Sequence, residues 1–178
     1  MKTGFDSLDN GFRKPMSTFN RFLLPALTLC LTICFQSAAQ AQGTRLLRQP
    51  TLSAQHIAFV YGADLWVVDK SGGAARRLTS TPAVESDPHF SPDGRSIAFT
   101  SNRSGTDAVY VVSVEGGAPT RLTWHPAAAQ ARGWTPDGQR ILYACSRESA
   151  PTGFNRLWTV PANGGASEML PAPWGFDG

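Results

Sequence analysis

Apolar and polar positions alternate in short runs along most of this chain, and the runs recur in a fixed order. Ile57-Ala58-Phe59-Val60 is followed by Leu65-Trp66-Val67-Val68, then by Gly72-Gly73 and Arg77-Leu78-Thr79. The order returns as Ile97-Ala98-Phe99-Thr100, Val109-Tyr110-Val111-Val112, Gly116-Gly117 and Arg121-Leu122-Thr123. A third pass reads Ile141-Leu142-Tyr143-Ala144, Leu157-Trp158-Thr159-Val160 and Gly164-Gly165. Runs of four to six residues rich in β-branched and aromatic side chains, bounded by glycine and proline, predict strands and not helices. A further strand is predicted ahead of each set, at Leu46 to Leu52, at His89-Phe90-Ser91 and near Gly133-Trp134.

Four strands per repeat, at a spacing of 44 residues from Gly72 to Gly116, match the length of a four-stranded propeller blade. The expected fold is therefore all-β, an unclosed, partial β-propeller of about three four-stranded blades. The blades are placed at residues 45–79, 86–123 and 131–170, with 171–178 as the start of a further one. Three blades do not close a ring, so the chain is expected to be part of a longer protein.

Turn chemistry supports the strand boundaries. In Ser91-Pro92-Asp93-Gly94 the proline presets φ near −65°, aspartate tolerates the next position and glycine supplies the positive φ that closes a hairpin. Thr135-Pro136-Asp137-Gly138 repeats it, whereas Ser53-Ala54-Gln55 lacks both Pro and Gly, as suits a terminal repeat. The near-continuous apolar runs predict strands covered on both faces. Ala98 is read as allowing close approach of a neighbouring blade, and Trp66, Tyr110 and Trp158 as filling the space between blades.

The first forty residues have a different character. Arg13, Lys14 and Arg21 precede an apolar run from Phe22 to Phe35, and Ala39-Gln40-Ala41 places small residues where a signal peptidase cuts. Residues 1–41 are read as a cleaved signal peptide, with Met16 as an alternative start. About fourteen apolar residues interrupted by Pro25 fall short of the roughly 20 needed to span a bilayer, so no stable membrane insertion is expected. A periplasmic or secreted location follows.

Charge narrows the partners. The chain carries a formal net charge of +3, and most of that excess lies in the leader, where four cations face Asp6 and Asp9. The near-neutral remainder offers no basic footprint for nucleic acid. Cys30 and Cys34 leave with the leader, and Cys145 is read as a small strand residue.

No catalytic, cofactor-binding or metal-binding residue is assigned, because the chain beyond residue 41 lacks a zinc-binding helix motif, a nucleophile elbow, a phosphate loop and metal-spaced Cys/His. His56, His89 and His125 are read as structural or solvated, Asp87 as a tie to a neighbouring blade, and Asp93 and Asp137 as turn residues. Asn102–Asp107 and Ser146–Ser149 connect second to third strands at one mouth of the disc. There Arg103 and Arg147 are candidates to meet a passing peptide or a protein partner, with plain solvation as the alternative.

The repeat Asp87-Pro88-His89-Phe90-Ser91-Pro92-Asp93-Gly94, with Ile97 to Arg103 and Arg121-Leu122-Thr123, resembles the blades of TolB, of prolyl-oligopeptidase relatives and of tricorn-type proteases. The order running on through Gly133 to Gly138, Ser146-Arg147-Glu148-Ser149 and Phe154 to Pro161 is similar to the start of a bacterial tricorn protease homologue. That resemblance implies a serine peptidase whose further blades, PDZ domain and protease domain are partners of this propeller, here a noncatalytic module for substrate access or positioning. Two alternatives stand beside it, a TolB-like protein-interaction module and a propeller preceding an amidohydrolase domain.

Overall fold

The computed structural model describes residues 47–149 and 153–172. The signal-peptide reading of residues 1–41 and most of the segment 171–178 lie outside them. Twelve strands form three antiparallel four-stranded sheets. Blade 1 holds β1 (Arg48–Leu52), β2 (His56–Tyr61), β3 (Asp64–Asp69) and β4 (Arg76–Arg77). Blade 2 holds β5 (Glu85–Phe90), β6 (Ser96–Ser101), β7 (Ala108–Ser113) and β8 (Thr120–Arg121). Blade 3 holds β9 (Ala129–Trp134), β10 (Arg140–Cys145), β11 (Arg156–Pro161) and β12 (Glu168–Met169). Each sheet is a meander in chain order, so the expected partial propeller of three unclosed blades is what the residues build.

The recurring motifs act as expected, and the reasons are visible bond by bond. At the β5–β6 turn, Gly94 N donates to Ser91 O at 2.8 Å, and Ser91 Oγ donates to Asp93 Oδ1 at 2.6 Å while accepting from Ser96 N at 2.9 Å. Gly94 adopts φ +71°, which its lack of a Cβ makes free of strain. Thr135 rebuilds the same set with Asp137, Gly138 and Arg140. In blade 1, Ser53 keeps the serine's part, its Oγ accepting from His56 N at 2.9 Å and its N donating to His56 O at 2.9 Å.

Arg-Leu-Thr locks the outermost strand to the third. Leu78 N donates to Leu65 O at 2.7 Å, and Thr79 Oγ1 accepts from Leu65 N at 2.9 Å. Leu122 and Thr123 bond Val109 in the same way. Blade 3 keeps the leucine bond, from Leu170 N to Leu157 O, but Pro171 stands where the threonine would be.

The buried clusters join successive blades. Strand pairing sets Phe59 opposite Trp66, Phe99 opposite Tyr110 and Tyr143 opposite Trp158. With side chains alternating across the pleat, Phe99 and Tyr110 pack on Ala58, Leu65, Val67 and Leu78 of blade 1. Tyr143 and Trp158 pack on Ala98, Val109 and Leu122 of blade 2. Each blade thus offers an aromatic pair to the blade before it and small or branched residues to the blade after it. Ile97, Ala98 and Phe99 are all fully buried as a result. Trp66 occupies the same repeat position on the side of blade 1 away from blade 2, and there it is only half-buried.

Truncation of Phe99 should therefore disrupt one blade interface, while enlargement of Ala98 should disrupt the other. In denaturant titrations of the intact protein, Phe99→Ala is expected to cost about 3–5 kcal/mol and Ala98→Leu about 1–3 kcal/mol. A loss below about 1 kcal/mol for Phe99→Ala would contradict the packing described.

Candidate functional site

The loops after the second strand and those leading into the next blade meet at one end of the blades. Backbone bonds from Glu85 N to Ala63 O and from Ala129 N to Asp107 O, both 2.9 Å, join them across successive blades. Val84 N adds a bond to Asn102 Oδ1 at 2.9 Å. A cleft of about 520 Å³ opens between blades 1 and 2, lined by Arg48, Gln49, Val60, Ala63, Val84 and Glu85.

Within this end, the innermost strands carry strained backbone. Gln49 and Asp87 adopt φ of 50° and 49°, each directly before a proline and each at a break in strand register. A residue before proline is normally extended, so left-handed backbone at both sites costs about 1–3 kcal/mol each. A reciprocal clasp holds them. Gln49 Nε2 donates to Asp87 Oδ1 at 3.1 Å, and Asp87 N donates to Gln49 Oε1 at 3.0 Å. Arg132 of β9 brings Nη1 to 3.9 Å from Asp87 Oδ2, extending the line to the third blade. Asp87 is a tie between blades, as its sequence position suggested.

Arg103 does not face outward. Its guanidinium lies 4.8 Å from the centre of the Tyr110 ring and 5.5 Å from that of Phe99, and Nη2 donates to Glu85 Oε1 at 2.7 Å. The Glu85 side chain is 0% exposed. Burial pushes its carboxyl above the ordinary 4.5, outweighing the opposing pull of Arg103 and of the hydroxyls of Ser101 and Thr81. Arg147 also turns inward, its guanidinium 3.4 Å from the centre of the Trp158 ring. Both arginines therefore brace their own blades, and neither is the plainly solvated side chain or outward contact that loop position alone suggests.

The remaining candidates take structural places. His56 opens β2, His89 lies in β5 with its carbonyl accepting from Trp134 Nε1 at 2.9 Å, and His125 Nδ1 accepts from Ala127 N at 3.0 Å. Asp93 and Asp137 are held below the usual carboxylate range, chiefly by the hydroxyls of Ser91 and Thr135. Cys145 is buried, and desolvation raises its thiol pKa, which disfavours the nucleophilic thiolate. Among the described residues no cluster of His, Cys, Asp or Glu is arranged to hold a metal ion.

Sequence reasoning missed two features here. One is Glu85, whose burial depends on an arginine eighteen positions away. The other is Trp124, 74% exposed beside Arg121, whose guanidinium lies 4.6 Å from its ring centre. Trp124 stands directly after Arg-Leu-Thr where blade 1 has Ser80, and that departure from the repeat was the available signal.

Comparison with known proteins gives a consistent picture. The tricorn protease N-terminal beta propeller domain family matches residues 44–178. Tricorn protease homolog 1 of Streptomyces coelicolor is 35% identical over 65 residues, covering 36% of this chain and 6% of that protein. The Tol-Pal system protein TolB of Bordetella pertussis is 45% identical over 49 residues, covering 27% of this chain and 11% of that one. The chain thus spans a small part of the length of the relatives it matches. A crystal structure of the tricorn protease superposes with a TM-score of 0.55 at 27% identity, over 72% of this chain and 14% of the other.

The buried carboxyl yields a signed expectation. Because the native pKa of Glu85 is raised, its contribution to stability is fully present below the ordinary 4.5 and is lost as pH rises through the native value. Glu85→Gln removes this titration. Denaturation of the intact protein across that window should show wild type losing stability relative to the glutamine variant as pH rises. The opposite slope would mean that the ion pair with Arg103 outweighs desolvation.

Proposed function

The chain belongs to the tricorn protease N-terminal β-propeller family, and from that premise we propose that it is the noncatalytic propeller of a secreted, tricorn-like serine peptidase. In this reading the blades admit or position peptides, while hydrolysis takes place in a protease domain elsewhere in the polypeptide, accompanied by a PDZ domain. The observation that carries it is the family match across residues 44–178, in which blades, turns and loops all take part. The site geometry is compatible with this role. The inward arginines, clasped inner strands and buried Glu85 make a rigid mouth, and loops on a rigid scaffold are where recognition usually resides. Export rests on Arg13, Lys14 and Arg21, the apolar run after them, and the small residues Ala39 and Ala41.

A second reading has its own support. The 45% identity to TolB across 49 residues favours a protein-interaction module that works without catalysis. The two readings differ in one observable, which is peptide hydrolysis by the intact protein.

Isolated from the periplasm or medium, the intact protein is expected to begin at Gln42 and to cleave unstructured peptides in a reaction stopped by a serine-directed inhibitor. Residues 42–178 alone should show no hydrolysis. An intact protein that binds a protein partner but cleaves nothing would favour the TolB-like reading, and hydrolysis by residues 42–178 would overturn the noncatalytic assignment.

A further inference from the structure

At the end opposite the mouth, blades 1 and 2 meet over a side chain that the next pair of blades lacks. Arg76 of β4 crosses to blade 2, where Nη2 donates to Val114 O at 2.6 Å and Nη1 lies 3.3 Å from the place that a Cβ on Gly116 would take. Strand register identifies its counterpart one blade on, since Arg76 pairs with Val67 and Thr120 pairs with Val111. The receiving carbonyl has a counterpart too. Val114 N donates to Arg95 O and Ala162 N to Gln139 O, both at 2.9 Å, so Ala162 holds in blade 3 the place of Val114. Thr120 has no cationic arm to reach it.

Between blades 2 and 3 lies instead a cleft of about 430 Å³, lined by Asp93, Val111, Thr120, Trp134, Asp137 and Ala162 among others. Its charge is one-sided. Asp93 Oδ1 accepts from Ser91 Oγ and Arg95 N, and Asp137 Oδ1 accepts from Thr135 Oγ1 and Gln139 N. These bonds hold both carboxyls below the usual carboxylate range, so both are ionised at neutral pH. Neither carboxylate has an ion-pair partner among the described residues, and no Lys or Arg lines the cleft. Arg140, a cation near Asp137, is turned toward Thr159 Oγ1 at 2.9 Å and Glu168 at 3.2 Å.

We propose that this cleft is a socket for an arginine side chain presented by a partner protein, which takes between blades 2 and 3 the place that Arg76 takes between blades 1 and 2. The incoming guanidinium donates to Ala162 O as Arg76 donates to Val114 O, and its fork of N–H groups leaves further donors for Asp93 and Asp137. Val111 and Trp134 give its aliphatic stem an apolar wall. The socket stands at the far end of the blades from the mouth, so it does not rest on the peptide-handling reading.

Blade 1 supplies the test, because Thr120→Arg builds its side chain into blade 2. Titration calorimetry on the intact protein at low ionic strength would compare acetyl-Ala-Arg-Ala amide with its neutral citrulline isostere and with acetyl-Ala-Lys-Ala amide. The arginine probe is expected to bind about tenfold or more tightly than the citrulline probe, the range set by a hydrogen-bonded charge. The lysine probe should fall between them, since an ammonium is a point charge without the planar fork. Thr120→Arg should abolish the preference for arginine. Asp93→Asn combined with Asp137→Asn keeps the acceptor that each turn uses and removes the charge, so it should weaken the arginine probe severalfold and leave the citrulline probe unchanged. Equal binding of arginine and citrulline probes, or binding of none, would overturn the socket. An arginine preference that survives Thr120→Arg would place the binding elsewhere and overturn it as well.

Discussion

A four-stranded sheet with apolar residues on both faces cannot bury either face by itself, and this constraint governs everything else in the structure. The second and third strands of each blade are largely apolar on both faces. Each blade instead meets its neighbours through a fixed division of labour, an aromatic pair on one face and small or branched residues on the other. Phe99 and Tyr110 fill the space that Ala58, Leu65 and Val67 leave, and Tyr143 and Trp158 fill the space beside Ala98 and Val109. The repeat is therefore more than a duplicated hairpin, because it specifies an interface that the next copy completes.

Polar contacts refine that stacking and do not drive it. The Gln49–Asp87 clasp, the bond from Trp134 to the carbonyl of His89 and the bond from Ala131 N to Thr100 Oγ1 all cross from one blade to the next. The last of these is 2.9 Å long and wholly buried, so it fixes register as well as distance. Strain at Gln49 and Asp87 persists because both residues are held from several sides at once.

Much of this was legible because it is local. Ser-Pro-Asp-Gly announces its turn through the φ preferences of its own residues, and Arg-Leu-Thr repeats because the leucine amide and threonine hydroxyl serve the same strand each time. The inter-blade role of Tyr110 and Trp158 followed from their recurrence. What escaped the sequence depends on distance. Nothing near Glu85 marks it as buried, since its partner Arg103 lies eighteen positions on and its backbone N–H donates to Ala63 O of the preceding blade.

The central claim is that blades stabilise one another through the aromatic-against-small interface, so that the half-buried Phe59 and Trp66 of blade 1 and the half-buried Leu142 and Leu170 of blade 3 need further cover. An apolar patch of several hundred Å² left open is an association hazard, and about 25 cal/mol per Å² is forgone over its area. The most direct measurement compares residues 42–178 with the intact protein by calorimetry and sedimentation. The account predicts that the three blades alone aggregate or melt broadly at low temperature, while the intact protein unfolds cooperatively. A monomeric three-blade species with a sharp transition above about 60 °C, high for a mesophile domain, would contradict it.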